Sequence, residues 1–553
     1  MCQISERSIM CTVKTKKRVA VIGGGVCGIC SVKTLKEEGI EPICFEKTGF
    51  FGGTWRYHED DVDGLAAVTW STVANNSKEM SAISDFPPPK DIPNYLSHRK
   101  VYELVCIYVN HFDVLRHMHF NHEVMSVRKA EDYNSTGKWI VTAKNLITGK
   151  VITDTYDGVF VCTGQFGYAN MPKYPGQEKF QGRIIHSKQL RTFECFKNQR
   201  IVVVGVGCSG VDAATETSNF AEQVYLSSRN GAWIFPRLGP YGLPFDMCYL
   251  RRWSDILYRL LPYSWSSWIF QRNLERMKFN HSLYSLRPSG HLWAQDPVLT
   301  DVLPSKILSG HVMVKSDIKM FTESGVIFEG ETKVTEADTI IMATGYKWKF
   351  PFLEDGVVTK DGDCLNLYKC MYPTHLPHAT LAILGFMLPL GPGFPLGESQ
   401  CRWATLLLND KVKLPSPKEM SADVKKTYET NMKRYKRSDR LTTRVDYIEY
   451  MDDITSQFGA KPNLLKIFLT DQKLFWALWL GPSLPYQYRL QGPHKWEGAR
   501  EAILTYKERM EAPLRKKGYR KTKRKFQGFP LKLVLAFIVF WFWISIFTEF
   551  ESL

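Results

Sequence analysis

The apolar positions of this chain form several short, uninterrupted runs that end in glycine. Two of them, RVAVIGGG at 18–25 and IVVVGVG at 201–207, are rich in β-branched residues, and each is followed by a segment that reads as a helix. Two more, DGVFVCTGQ at 157–165 and ADTIIMATGY at 337–346, break into glycine in the same way. Uninterrupted runs of this kind are typical of parallel strands buried on both faces. The pattern therefore predicts an α/β protein with two strand–turn–helix units.

The turn after the first run has the spacing G-x-G-x-x-G. Its glycines allow a tight turn, a close approach of the backbone to a pyrophosphate and close packing of the helix, whose N-terminus meets the phosphates. Glu46 ends the next predicted strand, 18 residues after Gly28, where a carboxylate can accept both hydroxyls of an adenosine ribose. We therefore expect a dinucleotide site for FAD or NAD. The residues expected to bind it are Gly23, Gly24, Gly25, Val26, Cys27, Gly28 and Glu46.

A second glycine-rich stretch directly follows this ribose acid. The sequence FFGGTWR, residues 50–56, places Gly52, Gly53 and Trp55 there. Glycine has no side chain to keep a cofactor away from the backbone, so the stretch suits a larger cofactor. This favours FAD over NAD at the first site.

The second G-x-G-x-x-G turn contains Gly205, Gly207 and Gly210, and it lacks the ribose acid of the first. The next predicted strand ends in Ser227, Ser228 and Arg229 instead, and Arg229 lies 19 residues after Gly210. A carboxylate would repel a 2′-phosphate, whereas hydroxyls donate hydrogen bonds to it and a guanidinium pairs with it. The second site is therefore expected to bind NADPH through Arg229.

The longest apolar run lies near the C-terminal end, at residues 531–547 (LKLVLAFIVFWFWISIF). It follows residues 515–525, RKKGYRKTKRK, which contain eight basic residues and no acid. Seventeen helical residues reach about 25 Å, the short end of what crosses a hydrocarbon core. Basic residues beside a span stay on the cytoplasmic side of the membrane. We therefore expect a C-terminal membrane anchor, spanning or re-entrant, with the bulk of the chain in the cytosol.

Composition narrows the class of function. Hydrophobic residues make up 44% and charged residues 23% of the 553 residues, which excludes a disordered chain and a polytopic membrane protein. Half of the net charge of +16 lies in the basic cluster, so no nucleic-acid partner is expected. Thirteen cysteines without a repeating spacing indicate reduced thiols. The N-terminal residues lack the apolar core of a secretory signal.

Beyond the two fingerprints, several motifs occur together. They are SKEM at 77–80, the proline-rich SDFPPPKDIPNY that comes after it, F-x-G-x-x-x-H-S from Phe180 to Ser187, ATGY at 343–346, PFLE at 351–354 and QCRWA at 400–404. Over residues 17–510 the chain resembles the membrane-bound, microsomal flavin-containing monooxygenases. It departs from that family at Leu190, where the identifying motif normally closes with an aromatic residue. The related motif of the Baeyer–Villiger monooxygenases closes with tryptophan, and oxygen insertion beside a ketone carbonyl is the alternative activity.

The resemblance implies a reaction. In that family NADPH reduces the FAD, O2 adds at C4a, and the hydroperoxyflavin oxygenates a soft nitrogen or sulfur centre of a small molecule, such as an amine or a sulfide. A match to NNSKEM makes Asn75 the expected catalytic residue, in contact with flavin and nicotinamide. The other cofactor contacts implied are Thr54, Trp55, Ala74 and Asn76 for FAD and its surroundings, and Ser209, Gly210, Val211 and Asp212 for NADPH. Location in the endoplasmic reticulum membrane, with the catalytic domains facing the cytosol, and a possible oligomer are also implied.

The expected fold has two Rossmann-like dinucleotide-binding domains, with the NADPH domain inserted into the FAD domain, and a C-terminal transmembrane helix. The predicted divisions are 1–169 for the first part of the FAD domain, 170–340 for the NADPH domain, 341–450 for the second part of the FAD domain, 451–526 for a helical region with the basic cluster, and 527–553 for the anchor and a short tail.

Other interpretations rest on single features. Cys27 and Cys30 form C-x-x-C at a helix start, as in dithiol oxidoreductases, although Cys27 lies inside the phosphate-binding turn. Four histidines, His111, His117, His119 and His122, lie close together but lack the partners of a recognisable metal site. An NADPH oxidase that releases hydrogen peroxide would result if Ala74 or Leu190 loosened the site, and the basic tail alone would suit a membrane or nucleic-acid tether without enzymatic activity.

Overall fold

The computed structural model describes residues 16–277, 279–435 and 441–515, and its core is built on two parallel sheets of five strands. In the first sheet the strands lie in the order Leu381–Ile383, Gly158–Val161, Arg18–Ile22, Glu41–Phe45 and Met118–His119. Every neighbouring pair is parallel. The central strand is covered on both faces, and residues 19–22 are buried, which explains its uninterrupted apolar sequence.

The second sheet repeats this arrangement within residues 183–342. Its order is Val312–Lys315, Gln223–Ser227, Arg200–Val204, Thr339–Met342 and Arg183–His186, again with all pairs parallel. The chain leaves the first sheet after Val161 and adds its next strand to that sheet at Leu381. The second sheet is thus inserted between two neighbouring strands of the first.

The two crossings between the sheets run side by side. Tyr168–Ala169 on the outward crossing pairs antiparallel with Tyr346–Lys347 on the return. The N–H of Asn170 also donates to the carbonyl of Gly345 at 3.0 Å. A two-stranded ribbon therefore contains both chain crossings between the first half, built on the first sheet, and the second half, built on the second sheet.

A three-stranded antiparallel sheet packs against one face of each parallel sheet. One has the strands His122–Lys129, Trp139–Asn145 and Val151–Tyr156, and the other Ile318–Phe321, Gly325–Phe328 and Thr335–Glu336. Four further two-stranded pairs join Ile234–Phe235 to Val298–Leu299, Lys360–Asp361 to Cys364–Leu365, Leu367–Tyr368 to Tyr372–Pro373, and Leu388–Leu390 to Arg444–Asp446.

Two helices come directly after the glycine turns: the first fingerprint helix, Val26–Glu37, and the second fingerprint helix, Cys208–Thr217. A long helix, Gly393–Leu408, packs along the first and is buried over nearly its whole length. The remaining helices are His98–His111, Tyr133–Thr136, Phe245–Tyr249, Arg252–Leu260, Tyr263–Met277, Leu303–Leu308, Pro417–Arg434, Tyr447–Ser456, Leu464–Thr470, Gln472–Leu480, Ala499–Leu504 and Tyr506–Glu511.

A buried ionic cluster fastens the C-terminal helices to the first half. Arg489, which is 1% exposed, donates to Glu398 at 2.7 Å and pairs with Asp85 at 2.8 Å. Asp85 also accepts from Lys33 on the first fingerprint helix at 2.6 Å. Because each buried charge faces an opposite charge, the cluster holds distant segments together without leaving a charge unpaired.

The predicted membrane anchor, residues 531–547, lies outside the described residues, as does the basic cluster from Lys516 onward. Within the described ranges, no helix combines the length and the apolar character needed to cross a bilayer.

Candidate functional site

A cavity of about 700 Å³ lies between the two halves of the molecule. The first fingerprint helix contributes Val26, the second contributes residues 207–209 and Asp212, and the loop 72–76 forms another wall. The return crossing contributes Gly345 and Tyr346. Parallel α/β sheets bind ligands beyond the carboxyl ends of their strands. The cavity is therefore placed to receive ligands from both sheets.

The first glycine turn has no room for a side chain at Gly23 or Gly28. A Cβ at Gly28 would lie 1.9 Å from the carbonyl oxygen of Gly23, and Gly23 itself has a φ of +107°. Gly25 caps the helix without a side-chain hydrogen bond, and no acid lies in the first turn. The first N–H groups of a helix have no acceptor within it, so they are available to an anion. This cradle fits the pyrophosphate of FAD.

Glu46 lies at the end of the second strand and is 9% exposed. One carboxylate oxygen accepts from the N–H of Gly24 at 2.6 Å, and the other accepts from the N–H and the hydroxyl of Thr48, both at 2.8 Å. The carboxylate is thus fixed beside the glycine turn, as a ribose acceptor must be. Cys27 packs behind the turn, because a Cβ at Gly385 or Gly397 would come within 2.5 or 2.7 Å of its Sγ.

The second glycine turn has a closely similar geometry. A Cβ at Gly210 would lie 1.9 Å from the carbonyl oxygen of Gly205, whereas a Cβ at Gly207 would meet nothing within 4 Å. Gly207 caps its helix without a side-chain hydrogen bond. The space in front of Gly207 belongs to the cavity, so this turn also fits a phosphate group. Gly210 and Val211 are buried within the helix that follows the turn.

Arg229 lies apart from the main cavity. It borders a second opening of about 840 Å³ together with Ser228, Arg287, Lys315 and Glu331. Ser228 accepts from the N–H of Gly231 at 2.9 Å, and Lys315 pairs with Glu331 at 2.7 Å. A donor set with several cations suits a 2′-phosphate. Arg287 and Lys315 were missed in the sequence because they lie far along the chain from the fingerprint.

Ser227 does not share in this opening. It is 1% exposed, and its hydroxyl donates to the carbonyl of Ser316 at 2.9 Å. The expectation that both serines face the phosphate is therefore wrong for Ser227. Alternation of side chains along a strand turns neighbouring residues to opposite faces.

Asn75 lies in the main cavity, and its side-chain amide connects the first half to side chains of the second. Its Oδ1 accepts from Nη2 of Arg237 at 2.7 Å, and its Nδ2 donates to Sγ of Cys208 at 3.6 Å. Cys208 begins the second fingerprint helix. Sequence reasoning missed both partners, since nothing local to either residue signals the contact.

Neighbouring backbone contacts fix the loop that carries Asn75. The N–H of Ala74 donates to the carbonyl of Leu96 at 2.8 Å, and the N–H of Ser77 donates to the carboxylate of Asp246 at 2.6 Å. Burial raises the pKa of Asp246 to about 6, although hydrogen bonds from Ser77, Met247 and Asn76 oppose the rise. Ala74 and Asn76 line the cavity beside Asn75.

Aromatic and acidic side chains complete the cavity. Trp55, beside Thr54 in the short turn Gly53–Trp55, meets the ring of Phe394 edge-on, with ring centroids 5.7 Å apart. Ser209 and Asp212 line the opposite wall. Burial raises the pKa of Asp212 to about 6, while the charge of Arg237 lowers it.

His186 is a structural residue of the crossing. Its Nδ1 accepts from the N–H of Lys188 at 3.0 Å, so its Nε2 carries the proton and donates to the carbonyl of Gly345 at 3.0 Å. Burial lowers its pKa. Leu190, which departs from the family motif, is buried and lines the cavity.

The two alternative sites, the C-x-x-C pair and the group of histidines, lack the features of a redox site and a metal site. Cys27 and Cys30 are free thiols, and burial raises the pKa of Cys27 to about 12, the opposite of an activated redox thiol. His117 accepts from Nε of Arg116 at 3.1 Å, and His122 contacts the carbonyl of Phe120 at 2.7 Å. Within the described parts of the chain, no group of three metal-binding side chains is arranged around one point.

Comparisons with known proteins agree with this architecture. The family model for flavin-binding monooxygenase-like proteins matches residues 16–550. Flavin-containing monooxygenase 5 of Homo sapiens is 42% identical over 503 residues, covering 90% of this chain and 93% of its own length. Dimethylaniline monooxygenase (N-oxide-forming) 2 of Rattus norvegicus is 42% identical over 501 residues, covering 90% and 93%.

Among solved structures, S-allyl-L-cysteine S-oxygenase from Allium sativum aligns with a TM-score of 0.61 and 23% identity, over 88% of this chain and 98% of that one. An oxidized steroid monooxygenase bound to NADP aligns with a TM-score of 0.57 and 17% identity, over 79% and 96%. At these identities the likeness concerns the fold.

Proposed function

This chain belongs to the flavin-binding monooxygenase-like family, and from that premise we propose that the cavity between its two halves is where FAD, NADPH and substrate meet. The protein is an NADPH- and O2-dependent flavin monooxygenase that oxygenates soft nitrogen or sulfur centres of small molecules. When bound, FAD accepts a hydride from NADPH and uses O2 to transfer one oxygen atom to the substrate, the other atom leaving as water.

The assignment of the site rests on one observation, the position of Asn75. It lies in the cavity near the uncapped N-termini of both fingerprint helices, and its amide is held by side chains of the second half. An amide can donate and accept at once, which suits a residue between two cofactors. Asn75 is the proposed catalytic residue, and its role is to orient the nicotinamide cofactor against the flavin.

The cofactor contacts are assigned from the two turns. FAD binds along Gly23, Gly24, Gly25, Val26, Cys27 and Gly28, its ribose on Glu46 and its ring system near Thr54, Trp55, Ala74 and Asn76. NADPH binds along Ser209, Gly210, Val211 and Asp212 and places its 2′-phosphate on Arg229. Two features support both assignments. Each glycine turn leaves space for a phosphate beside the backbone, and the N-terminus of each fingerprint helix lacks a side-chain cap.

Substrate recognition rests on exclusion of water. The walls between the loop 72–76 and the crossing are largely apolar, with Val26, Val73, Leu190 and Phe394 among them. Such a surface desolvates a neutral amine or thioether and protects the reacting oxygen from water. The names of the relatives, which describe N-oxide formation, agree with this substrate class.

Product analysis tests this function. Detergent-purified, FAD-loaded protein with NADPH and O2 should convert a thioether to its sulfoxide and leave a cyclic ketone unchanged. Asn75→Ala should retain FAD but lose product on the order of tenfold or more per NADPH oxidised, with hydrogen peroxide released instead. A lactone as the main product of the wild type, or unchanged coupling in Asn75→Ala, would contradict the proposal.

We also propose the finer organisation. The division of the strands between the two parallel sheets supports an FAD domain formed by residues 1–169 and 341–450 and an inserted NADPH domain at 170–340. A helical region at 451–526 follows. Residues 527–553 are proposed as a transmembrane anchor, on the basis of their apolar run and the basic cluster before it. With this anchor we propose that the catalytic domains face the cytosol at the endoplasmic reticulum membrane.

A further inference from the structure

Arg237 contacts the side chain on which the proposed mechanism depends. Its Nη2 donates to Oδ1 of Asn75 at 2.7 Å, across 162 positions of sequence. A guanidinium has donors only and keeps its charge over the whole range of pH in which proteins fold. It can therefore face only the oxygen end of the amide.

The direction in which the NH2 end of the Asn75 amide points is therefore fixed as well. Nδ2 of Asn75 donates to Sγ of Cys208 at 3.6 Å, beside the uncapped helix end at Gly207. The two orientations of an asparagine amide have nearly the same shape, so hydrogen-bond partners decide between them. With Arg237 in place, Asn75 presents its NH2 group to the NADPH side of the cavity.

The main chain holds Arg237 in position from both halves of the molecule. Its N–H donates to Asp301 at 3.2 Å, and its carbonyl accepts from the hydroxyl of Tyr95 at 2.7 Å and the N–H of Phe245 at 2.9 Å. Its buried Nε has no acceptor among the described residues. Arg237 is thus a fixed cation with donor capacity left for a ligand.

We propose that Arg237 is a positioning residue for oxygen transfer. It fixes the Asn75 amide so that the NH2 group meets the bound nicotinamide cofactor, and this contact retains NADP+ while the substrate is oxygenated. The inference rests on the proposed role of Asn75 and adds the residue that orients it.

A double-mutant cycle tests this role on full-length, FAD-loaded protein. The variants are Asn75→Ala, Arg237→Met and the two combined, with Arg237→Lys as a conservative replacement and Arg183→Met as a matched control on an exposed arginine of the same half. Two quantities are measured: the NADP+ dissociation constant, from flavin absorbance without turnover, and the fraction of NADPH electrons recovered as peroxide with a thioether present. FAD content and thermal midpoint are recorded for each protein.

We expect Arg237→Met to weaken NADP+ by about tenfold and to raise the peroxide fraction, as Asn75→Ala does. The double variant should be no worse than either single variant, because both changes remove the same contact. Arg237→Lys should restore part of the affinity, and Arg183→Met should match the wild type.

Additive effects in the double variant, or an unchanged NADP+ dissociation constant in Arg237→Met, would overturn the role of Arg237. If the wild type forms no oxygenated product, the proposed function fails. The NADP+ cycle still decides the inference in that case, since it needs no turnover.

Discussion

At the scale of single residues, burial changes the chemistry of the acids around the cavity. Asp212 lies on the second fingerprint helix, and burial raises its pKa to about 6 despite the opposing charge of Arg237. Between about pH 4 and pH 6 the folded protein therefore binds this proton more strongly than the unfolded chain does. The free energy of unfolding falls as the pH rises through that window, so ionised Asp212 destabilises the fold at neutral pH.

Replacement of Asp212 by Asn should remove this penalty. At pH 7.5 we expect Asp212→Asn to raise the free energy of unfolding by about 1–3 kcal/mol, an advantage that disappears below about pH 4. Urea unfolding of both proteins at pH 4 and pH 7.5 measures the difference. An equal difference at both pH values would show that the carboxyl does not titrate as the structure indicates.

Arg229 is predicted to determine the preference for NADPH over NADH. Arg229→Ala should weaken NADPH binding by about 1.5–3 kcal/mol, the loss of a charged hydrogen bond, and leave NADH binding nearly unchanged. Steady-state KM values for the two cofactors measure this, and Arg183→Ala, an exposed arginine of the same half, serves as the control. Equal losses for NADPH and NADH would place the 2′-phosphate elsewhere, on Arg287 or Lys315.

At the scale of elements, the two glycine turns show why fingerprints can be read from sequence. Each turn is a local structure of six residues whose steric demands, such as the 1.9 Å approach at Gly28 and at Gly210, admit only glycine. Both fingerprint helices and the order of cofactor motifs were therefore predictable. The Asn75–Arg237 contact was not, because the partners are far apart in sequence and meet only after the two halves have folded.

Gly207 and Gly210 should respond differently to the same substitution. Gly210→Ala places a methyl group against the carbonyl of Gly205 and should prevent the second half from folding. In Gly207→Ala the methyl group enters the open cavity, so the thermal midpoint and FAD content should stay near wild type while NADPH affinity falls about tenfold.

Thermal unfolding and cofactor titration of the two alanine variants, side by side, measure this contrast. Loss of folding in Gly207→Ala, or normal NADPH binding in that variant, would mean that the space before Gly207 is not a phosphate site.

At the scale of the whole molecule, the residues that line the main cavity all come before the C-terminal tail. The C-terminal helices, up to residue 515, are fastened to the first half by buried ion pairs such as Arg489–Glu398, and the Arg252–Asp452 pair ties them to the second half. The composition of the tail predicts a membrane segment, but the cavity is built from residues within 26–394. We therefore expect membrane attachment and catalysis to reside in separate parts of the chain.

Deletion of residues 527–553 tests this separation. The truncated protein should partition partly into the soluble fraction and retain NADPH-dependent flavin reduction at a rate within about twofold of the full chain, because no cavity residue is removed. Membrane flotation and anaerobic flavin bleaching measure the two properties. A truncated protein that binds FAD but is not reduced would show that the tail takes part in the catalytic unit.

The paired crossings, Tyr168–Ala169 and Tyr346–Lys347, have a mechanical consequence. A ribbon of two hydrogen-bonded strands bends across its flat face far more easily than it twists or shears. That bending is opposed by side-chain contacts between the halves, among them Asn75–Arg237 and the buried Arg252–Asp452 pair, which ties the second half to the C-terminal helices. The width of the cavity is therefore set by these contacts as well as by the ribbon, and a variant that lacks one of them should let the gap widen.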